Sequence, residues 1–298
     1  MAKLTLPKEE YLHHGHNACP GCGAPLALRY TLKALGPRTV INVPAGCTPV
    51  IAGVFPRYSF KIPMVDHPFE CTGAVSSGIR AGLDTQGVED ATVLGWAGDG
   101  GTVDIGLQAL SGAVDRGTDF VYLMLDNEAY MNTGIQCSGA TPMGAWTTTT
   151  PTGKRCEINV QRKKRIMDMM VANGIVYGAT VNIAYPEDFV KRVRKAKEIE
   201  GPAFIHALSP CSPGWRVNSA KTVEIARLAT KSNMFPLYEV EQGEYRLNKE
   251  IKKKVPVSEY LKMQGRFRRL DQATIDRIQE MVDREYEELM RKVSCSQG

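Results

Sequence analysis

Two continuous apolar runs, residues 91–97 and 120–125, end on Gly98-Asp99-Gly100-Gly101 and on Asp126-Asn127. Runs this short, apolar without alternation and closed by turn residues, are strands covered on both faces, which is what a parallel sheet requires. Parallel strands need crossover helices, and the intervening segments supply them. Helical spacing covers residues 24–35 with Gly36-Pro37 as the stop. A second helix is expected over 104–117 with Ile105, Leu107, Leu110, Ala113 and Val114 inward, others over 165–172 and 186–200. Further short strands are expected at 39–43, 179–183 and 203–208. The β-α order predicts a doubly wound, mostly parallel α/β sheet with a helical C-terminal tail. Residues 1–212 read as the ligand-binding α/β domain. Residues 213–298 read as a polar extension whose amphipathic helix, with Ile275, Ile278, Val282, Tyr286 and Leu289 on one stripe, packs on that domain or on a partner subunit.

The two strand ends carry chemistry. A carboxylate on a glycine turn, followed by an amide on a neighbouring strand end, suits a divalent cation on a diphosphate, as thiamine-pyrophosphate enzymes hold one. Mg²⁺ takes oxygen ligands in near-octahedral geometry, so Asp99 would give the charge, Asn127 the amide oxygen and Ala129 a backbone carbonyl. Residues 98–101 and 127–133 (Gly98, Asp99, Gly100, Gly101, Asn127, Glu128, Ala129, Tyr130, Met131, Asn132, Thr133), with Cys47, form the expected cofactor-binding set. Residues 138–153, rich in Thr, Gly and Pro, are expected to cover the cofactor or contact another subunit.

The chain has eight cysteines. No secretory hydrophobic segment opens the sequence and no run is long enough to cross a membrane, so a soluble, cytoplasmic protein is expected, in which cysteines point to metal or redox chemistry rather than disulfides. Cys19-Pro20-Gly21-Cys22 is a knuckle that aims two thiolates at one site. Cys47 and Cys211 each sit in a Gly/Pro loop at a strand's C-terminal end, where open α/β sheets bind ligands. Four thiolates fit Zn²⁺ or a [4Fe–4S] cluster on ligand count alone. Structural zinc usually draws on two local pairs, and the single, distant third and fourth ligands favour iron–sulfur. Cys71, Cys137, Cys156 and Cys295 have no paired spacing and read as free thiols.

A net charge of +5 resides in local clusters, residues 162–165, 191–197 and 252–254. Solvated helix faces and a loop account for them, and without interleaved aromatics nucleic acid is excluded as a partner. An acidic protein partner remains compatible with these patches.

Together, Gly15-His16-Asn17-Ala18-Cys19-Pro20-Gly21-Cys22-Gly23, Gly46-Cys47, Gly98-Asp99-Gly100-Gly101-Thr102-Val103-Asp104-Ile105-Gly106, residues 126–134 and Pro210-Cys211 resemble the thiamine-pyrophosphate-binding β subunit of 2-oxoacid:ferredoxin oxidoreductases. The resemblance implies thiamine pyrophosphate, Mg²⁺ on Asp99, Asn127 and Ala129, and a [4Fe–4S] cluster on Cys19, Cys22, Cys47 and Cys211. It implies that Asn132 reaches toward the reacting centre. The activity implied is oxidative decarboxylation of a 2-oxoacid with CO₂ release, electrons leaving singly through the cluster to ferredoxin. The implied partners are an α chain and a ferredoxin-like chain, which supply the activating glutamate and the substrate-binding arginines.

The substrate is left open between pyruvate and oxalate, with or without CoA. Cys71-Thr72-Gly73 and Pro44-Ala45-Gly46-Cys47-Thr48-Pro49 depart from the commoner pyruvate pattern and are expected to add hydroxyl character near the cofactor. Two other classes compete: a non-redox thiamine decarboxylase or carboligase, and a zinc-stabilised basic binding module.

Overall fold

The computed structural model describes residues 5–54, 56–152 and 159–296. Cys156 and the last residue of the 138–153 loop lie outside the described residues. Eight strands form one sheet: β1 Thr39–Pro44, β2 Met64–His67, β3 Thr92–Gly98, β4 Phe120–Asp126, β5 Tyr177–Asn182, β6 Pro202–Leu208, β7 Tyr238–Glu241 and β8 Glu244–Leu247. Their order is β2-β1-β3-β4-β6-β5-β7-β8. The first six in that order are parallel, and β7 and β8 add an antiparallel edge.

Every position of β4, β5 and β6 is buried. Alternation sorts them onto two faces. Leu94, Trp96, Leu123, Val181 and Ile205 meet α1 (Ala24–Leu35) and the helix Pro186–Glu198 on one side. On the other, Val93, Tyr122, Met124 and Phe204 meet Leu110, Ile166, Met170 and Leu289. A third cluster, around Trp215, Ile225, Tyr260, Ile278 and Val282, joins the last ninety residues to Leu208 and Met143.

The long C-terminal helix, Gln272–Cys295, buries Ile278, Val282, Leu289 and Val293 against its own chain. Each such side chain stabilises the docked state by about 1.5–3 kcal/mol. Tyr286 and Ile275 of the expected stripe are half-buried.

The helix expected over 104–117 begins later, at Leu107, and is preceded by a separate short one. Residues Asp99–Val103 form a short helix and Leu107–Asp115 the next. The break at Asp104–Gly106 turns Ile105 outward, 57% exposed, where the periodicity placed it inward. Strands β2, β7 and β8 are additions to the sequence reading, so the polar stretch after Pro213 contributes to the same sheet. No helix of the described residues is long and apolar enough to cross a membrane.

Candidate functional site

The C-terminal ends of β1, β3 and β4 open together where the strand order reverses between β1 and β3, the crevice in which open α/β sheets place ligands. A cavity of about 290 Å³ occupies it. Of the residues expected to bind cofactor, Cys47, residues 98–101, Asn127 and residues 129–133 line it; Glu128 does not. Val43, Pro44, Ala45, Phe69, Trp96 and Leu125 complete a largely apolar wall. Gly100 permits the close approach of Tyr130: a Cβ there would sit 2.2 Å from the tyrosine ring. Tyr130 is held by donating to Asp104 Oδ2 at 2.7 Å.

Three oxygens converge in this crevice. The amide oxygen of Asn127 lies 3.0 Å from Asp99 Oδ1 and 2.9 Å from the carbonyl oxygen of Ala129, with no donor between them; the opposite amide orientation would donate to both. An acceptor-only triad is unfavourable without a cation. For Mg²⁺–oxygen bonds of about 2.0–2.1 Å, adjacent octahedral ligands stand about 2.8–3.0 Å apart, so the donor set and its spacing fit Mg²⁺. Asp99 is 1% exposed. Burial, and then the charge of Asp126, raise its carboxyl well above the usual range, so a divalent charge is what would restore its ionised form. Its second oxygen is already taken: Ser138 donates to Asp99 Oδ2 at 2.5 Å.

Beneath the triad lies a buried charge network. Burial pushes the Asp126 carboxyl up, but Lys163 at 2.5 Å and His206 at 2.6 Å carry it down to about 2. Glu128 accepts from Lys163 at 2.9 Å and from Arg266 through its other oxygen. These contacts explain why Glu128 points away from the cavity. Its backbone stands at φ 69°, the left-handed region that costs a side-chain-bearing residue about 1–2 kcal/mol, with its N–H donating to Asp126 Oδ1 and its carbonyl accepting from Thr141. That turn aims the Asn127 side chain and the Ala129 carbonyl at the same point. Trp215, fully buried, donates to the Asn127 carbonyl at 2.7 Å.

The four expected cluster cysteines line a neighbouring cavity of about 100 Å³ together with Asn127 and Asn132. Cys47, Asn127 and Asn132 belong to both cavities and form their common wall. The knuckle is gripped from one side: Ser212 donates to the Pro20 carbonyl and Thr222 to the Gly21 carbonyl, each at 2.6 Å. Gly21, at φ 73°, lies so close to Ser219 that a Cβ would stand 2.4 Å from its carbonyl oxygen. Burial, and then mutual repulsion, push the thiol of Cys22 up to about 11, and burial raises Cys211 to about 12; the Cys47 thiol is also raised, chiefly by burial. Among the described residues no three His, Cys, Asp or Glu side chains converge closely enough to share one metal ion. The seven cysteines among the described residues are all free thiols. Cys71, Cys137 and Cys295 line neither cavity.

The hydroxyl expected near the cofactor from Cys71-Thr72-Gly73 is elsewhere. The Thr72 methyl packs toward Gly95 of the sheet, and Gly73 lies against the backbone of Ala109 in the helix Leu107–Asp115. Thr48 does line the cavity, and its hydroxyl accepts from Trp96 Nε1 at 2.9 Å. Sequence reasoning missed Ser138, His206, Arg266 and Trp215, which act through contacts between segments far apart in the chain. Lys163, read as part of a solvated basic face, is instead the counter-ion of two buried acids.

Residues 44–207 match the family model of the C-terminal TPP-binding domain of thiamine pyrophosphate enzymes. A ketoisovalerate oxidoreductase subunit VorB from Pyrococcus furiosus is 49% identical over 296 residues, spanning 97% of this chain and 95% of that protein. A pyruvate synthase subunit PorB from Methanothermobacter thermautotrophicus is 48% identical over 286 residues, spanning 96% of this chain and 99% of that one. Among solved structures, a chain of the 2-oxoglutarate:ferredoxin oxidoreductase of Magnetococcus marinus aligns with a TM-score of 0.59 at 20% identity, covering 75% of this chain and 80% of that chain.

Proposed function

Because the chain belongs to the thiamine-pyrophosphate-binding β subunits of the 2-oxoacid:ferredoxin oxidoreductases, we propose that it is the subunit in which a 2-oxoacid is oxidatively decarboxylated beside a [4Fe–4S] cluster. The observation that carries this reading is the common wall: Cys47, Asn127 and Asn132 separate the cofactor cavity from the four-cysteine cavity. Thiamine pyrophosphate supplies the carbon nucleophile and electron sink for decarboxylation, and a cluster supplies a one-electron acceptor.

This chain's residues do the holding. Asp99, Asn127 and the Ala129 carbonyl would bind Mg²⁺ on the diphosphate. Asn132, exposed at the cavity mouth, lines both the cofactor cavity and the cysteine cavity beside Cys47, the position of a group that orients substrate at the electron-accepting wall. Cys19, Cys22, Cys47 and Cys211 would hold the cluster. Their spread around a cavity, rather than convergence on one point, favours a cluster over a single zinc ion.

Among the described residues the cofactor cavity is lined by no glutamate, lysine, arginine or histidine. This supports an α partner that supplies the activating carboxylate and a cation for the substrate carboxylate. A ferredoxin-like chain and ferredoxin would take the electrons over exposed Cys19. The apolar wall suits 2-oxoacids with hydrocarbon substituents, the chemistry of both pyruvate and ketoisovalerate, better than oxalate.

The test is anaerobic addition of pyruvate, 2-oxoisovalerate or oxalate, with and without CoA, to the assembled complex lacking ferredoxin. Bleaching of the visible cluster absorbance by one of the first two, with CO₂ release, is the expected result. A decarboxylating complex whose iron stays oxidised would refute the redox assignment and select the carboligase class.

A further inference from the structure

Ser138 lies on a loop thirty-nine residues from Asp99 in the chain, and its shortest contact is with that carboxylate. Its hydroxyl oxygen accepts from the backbone N–H of Ala140 at 3.2 Å, its own O–H donates to Asp99 Oδ2 at 2.5 Å, and the Thr141 hydroxyl stands farther off, at 3.4 Å. Both residues are almost wholly buried, Ser138 at 5% and Asp99 at 1% exposure. Asp99 Oδ2 is thereby engaged, and Oδ1 is the carboxylate oxygen facing the Asn127 amide.

We infer that Ser138 is a metal-selectivity residue: by holding Asp99 to one ligating oxygen, it tunes the thiamine-pyrophosphate site to Mg²⁺ and against Ca²⁺. Ca²⁺ takes about 6–8 oxygens and readily binds carboxylates through both, whereas Mg²⁺ demands near-ideal octahedral geometry, which a carboxylate binding through both oxygens does not give. Gaining a second oxygen from Asp99 means breaking the Ser138 hydrogen bond, so one hydroxyl opposes the larger ion.

The inference rests on the proposed metal role of Asp99, Asn127 and Ala129, and the experiment separates the two. Thiamine pyrophosphate bound to the cofactor-stripped complex is measured by equilibrium dialysis against increasing Mg²⁺ or Ca²⁺, in wild type, Ser138→Ala and Ser138→Thr. Wild type is expected to need at least about tenfold more Ca²⁺ than Mg²⁺ for half-saturation. In Ser138→Ala that ratio should fall severalfold through tighter Ca²⁺ use, and Ser138→Thr, which keeps the hydroxyl, should restore it. General damage to the fold would weaken both ions alike and leave the ratio where it was. If Ser138→Ala binds cofactor with an unchanged ratio, the selectivity role is wrong. If neither cation promotes thiamine pyrophosphate binding in wild type, the metal assignment itself fails.

Discussion

Replacing Glu128 separates the two jobs that its position performs. Its carboxylate is 5% exposed and Arg266, one of its two cationic partners, 2% exposed. Removing one member of such a buried pair leaves an uncompensated charge and costs about 3–5 kcal/mol. With an unfolding entropy of about 2.1 cal/mol/K per residue over 298 residues, Glu128→Ala should lower the subunit's calorimetric Tm by about 5–8 °C. Glu128→Gly loses the same ion pairs but suits the backbone at φ 69°. It should therefore recover about 1 kcal/mol relative to alanine. Because this turn aims Asn127 and Ala129, both variants should raise the Mg²⁺ concentration needed for thiamine pyrophosphate binding by about tenfold or more, a loss of about 1.4 kcal/mol. A Glu128→Ala protein within 1 °C of wild type, or a glycine variant less stable than the alanine one, would refute the reasoning.

Three further outcomes follow from the same geometry. The raised carboxyl of buried Asp99 stabilises the metal-free protein fully below its ordinary value of 3.8 and progressively less as pH rises through the raised one. The Tm gain from Mg²⁺ with thiamine pyrophosphate should thus grow from mildly acidic to mildly alkaline pH, and Asp99→Asn should abolish both gain and pH dependence; a wild-type gain that is flat with pH contradicts this. With the Cys22 and Cys211 thiols pushed up to about 11 and 12, cluster assembly must release protons, so anaerobic reconstitution measured by bound iron should be more complete at alkaline than at neutral pH. Equal yields would count against buried thiol ligands. Gly100→Ala should displace the Tyr130 ring, 2.2 Å from the added Cβ, and weaken cofactor binding at least tenfold in the same dialysis assay, while leaving iron content unchanged.

Much of this arrangement was legible because strand ends carry their own signals. Residues 91–97 and 120–125 are apolar without interruption, so their burial on both faces, and the placement of Asp99 and Asn127 at adjoining ends, follow from pattern alone. The cysteine loops were equally readable, since Gly and Pro mark where a strand stops. What escaped were features whose cause lies elsewhere in the chain. Strands β7 and β8 carry Glu239, Glu241, Glu244 and Arg246, a polar series that reads as a tail; Glu239 is buried because Arg192 and Tyr177 satisfy it at 2.6 and 2.7 Å. Arg192 and Lys163 both sat in basic runs whose neighbours are solvated, and no local feature marks the one residue that turns inward to a buried acid. Glu128 looked like a cofactor contact from its place in the motif, yet Lys163 and Arg266 hold its carboxylate away from the cavity. Ile105 followed the helical period, but the chain breaks at Asp104, which Tyr130, Gly139 and Lys164 hold by hydrogen bonds and an ion pair.

The account stands on two sites sharing one wall, and composition analysis of the anaerobically purified complex in three forms tests it. Iron, sulfide, magnesium and thiamine pyrophosphate are quantified per β subunit in wild type, Asp99→Asn and Cys211→Ser. Wild type should carry a full cubane, magnesium and cofactor at this subunit. Asp99→Asn should lose magnesium and thiamine pyrophosphate but keep iron, and Cys211→Ser should lose this subunit's iron and sulfide but keep the cofactor. Zinc in place of iron, or a Cys211→Ser complex that retains the wild-type iron and sulfide, would contradict it.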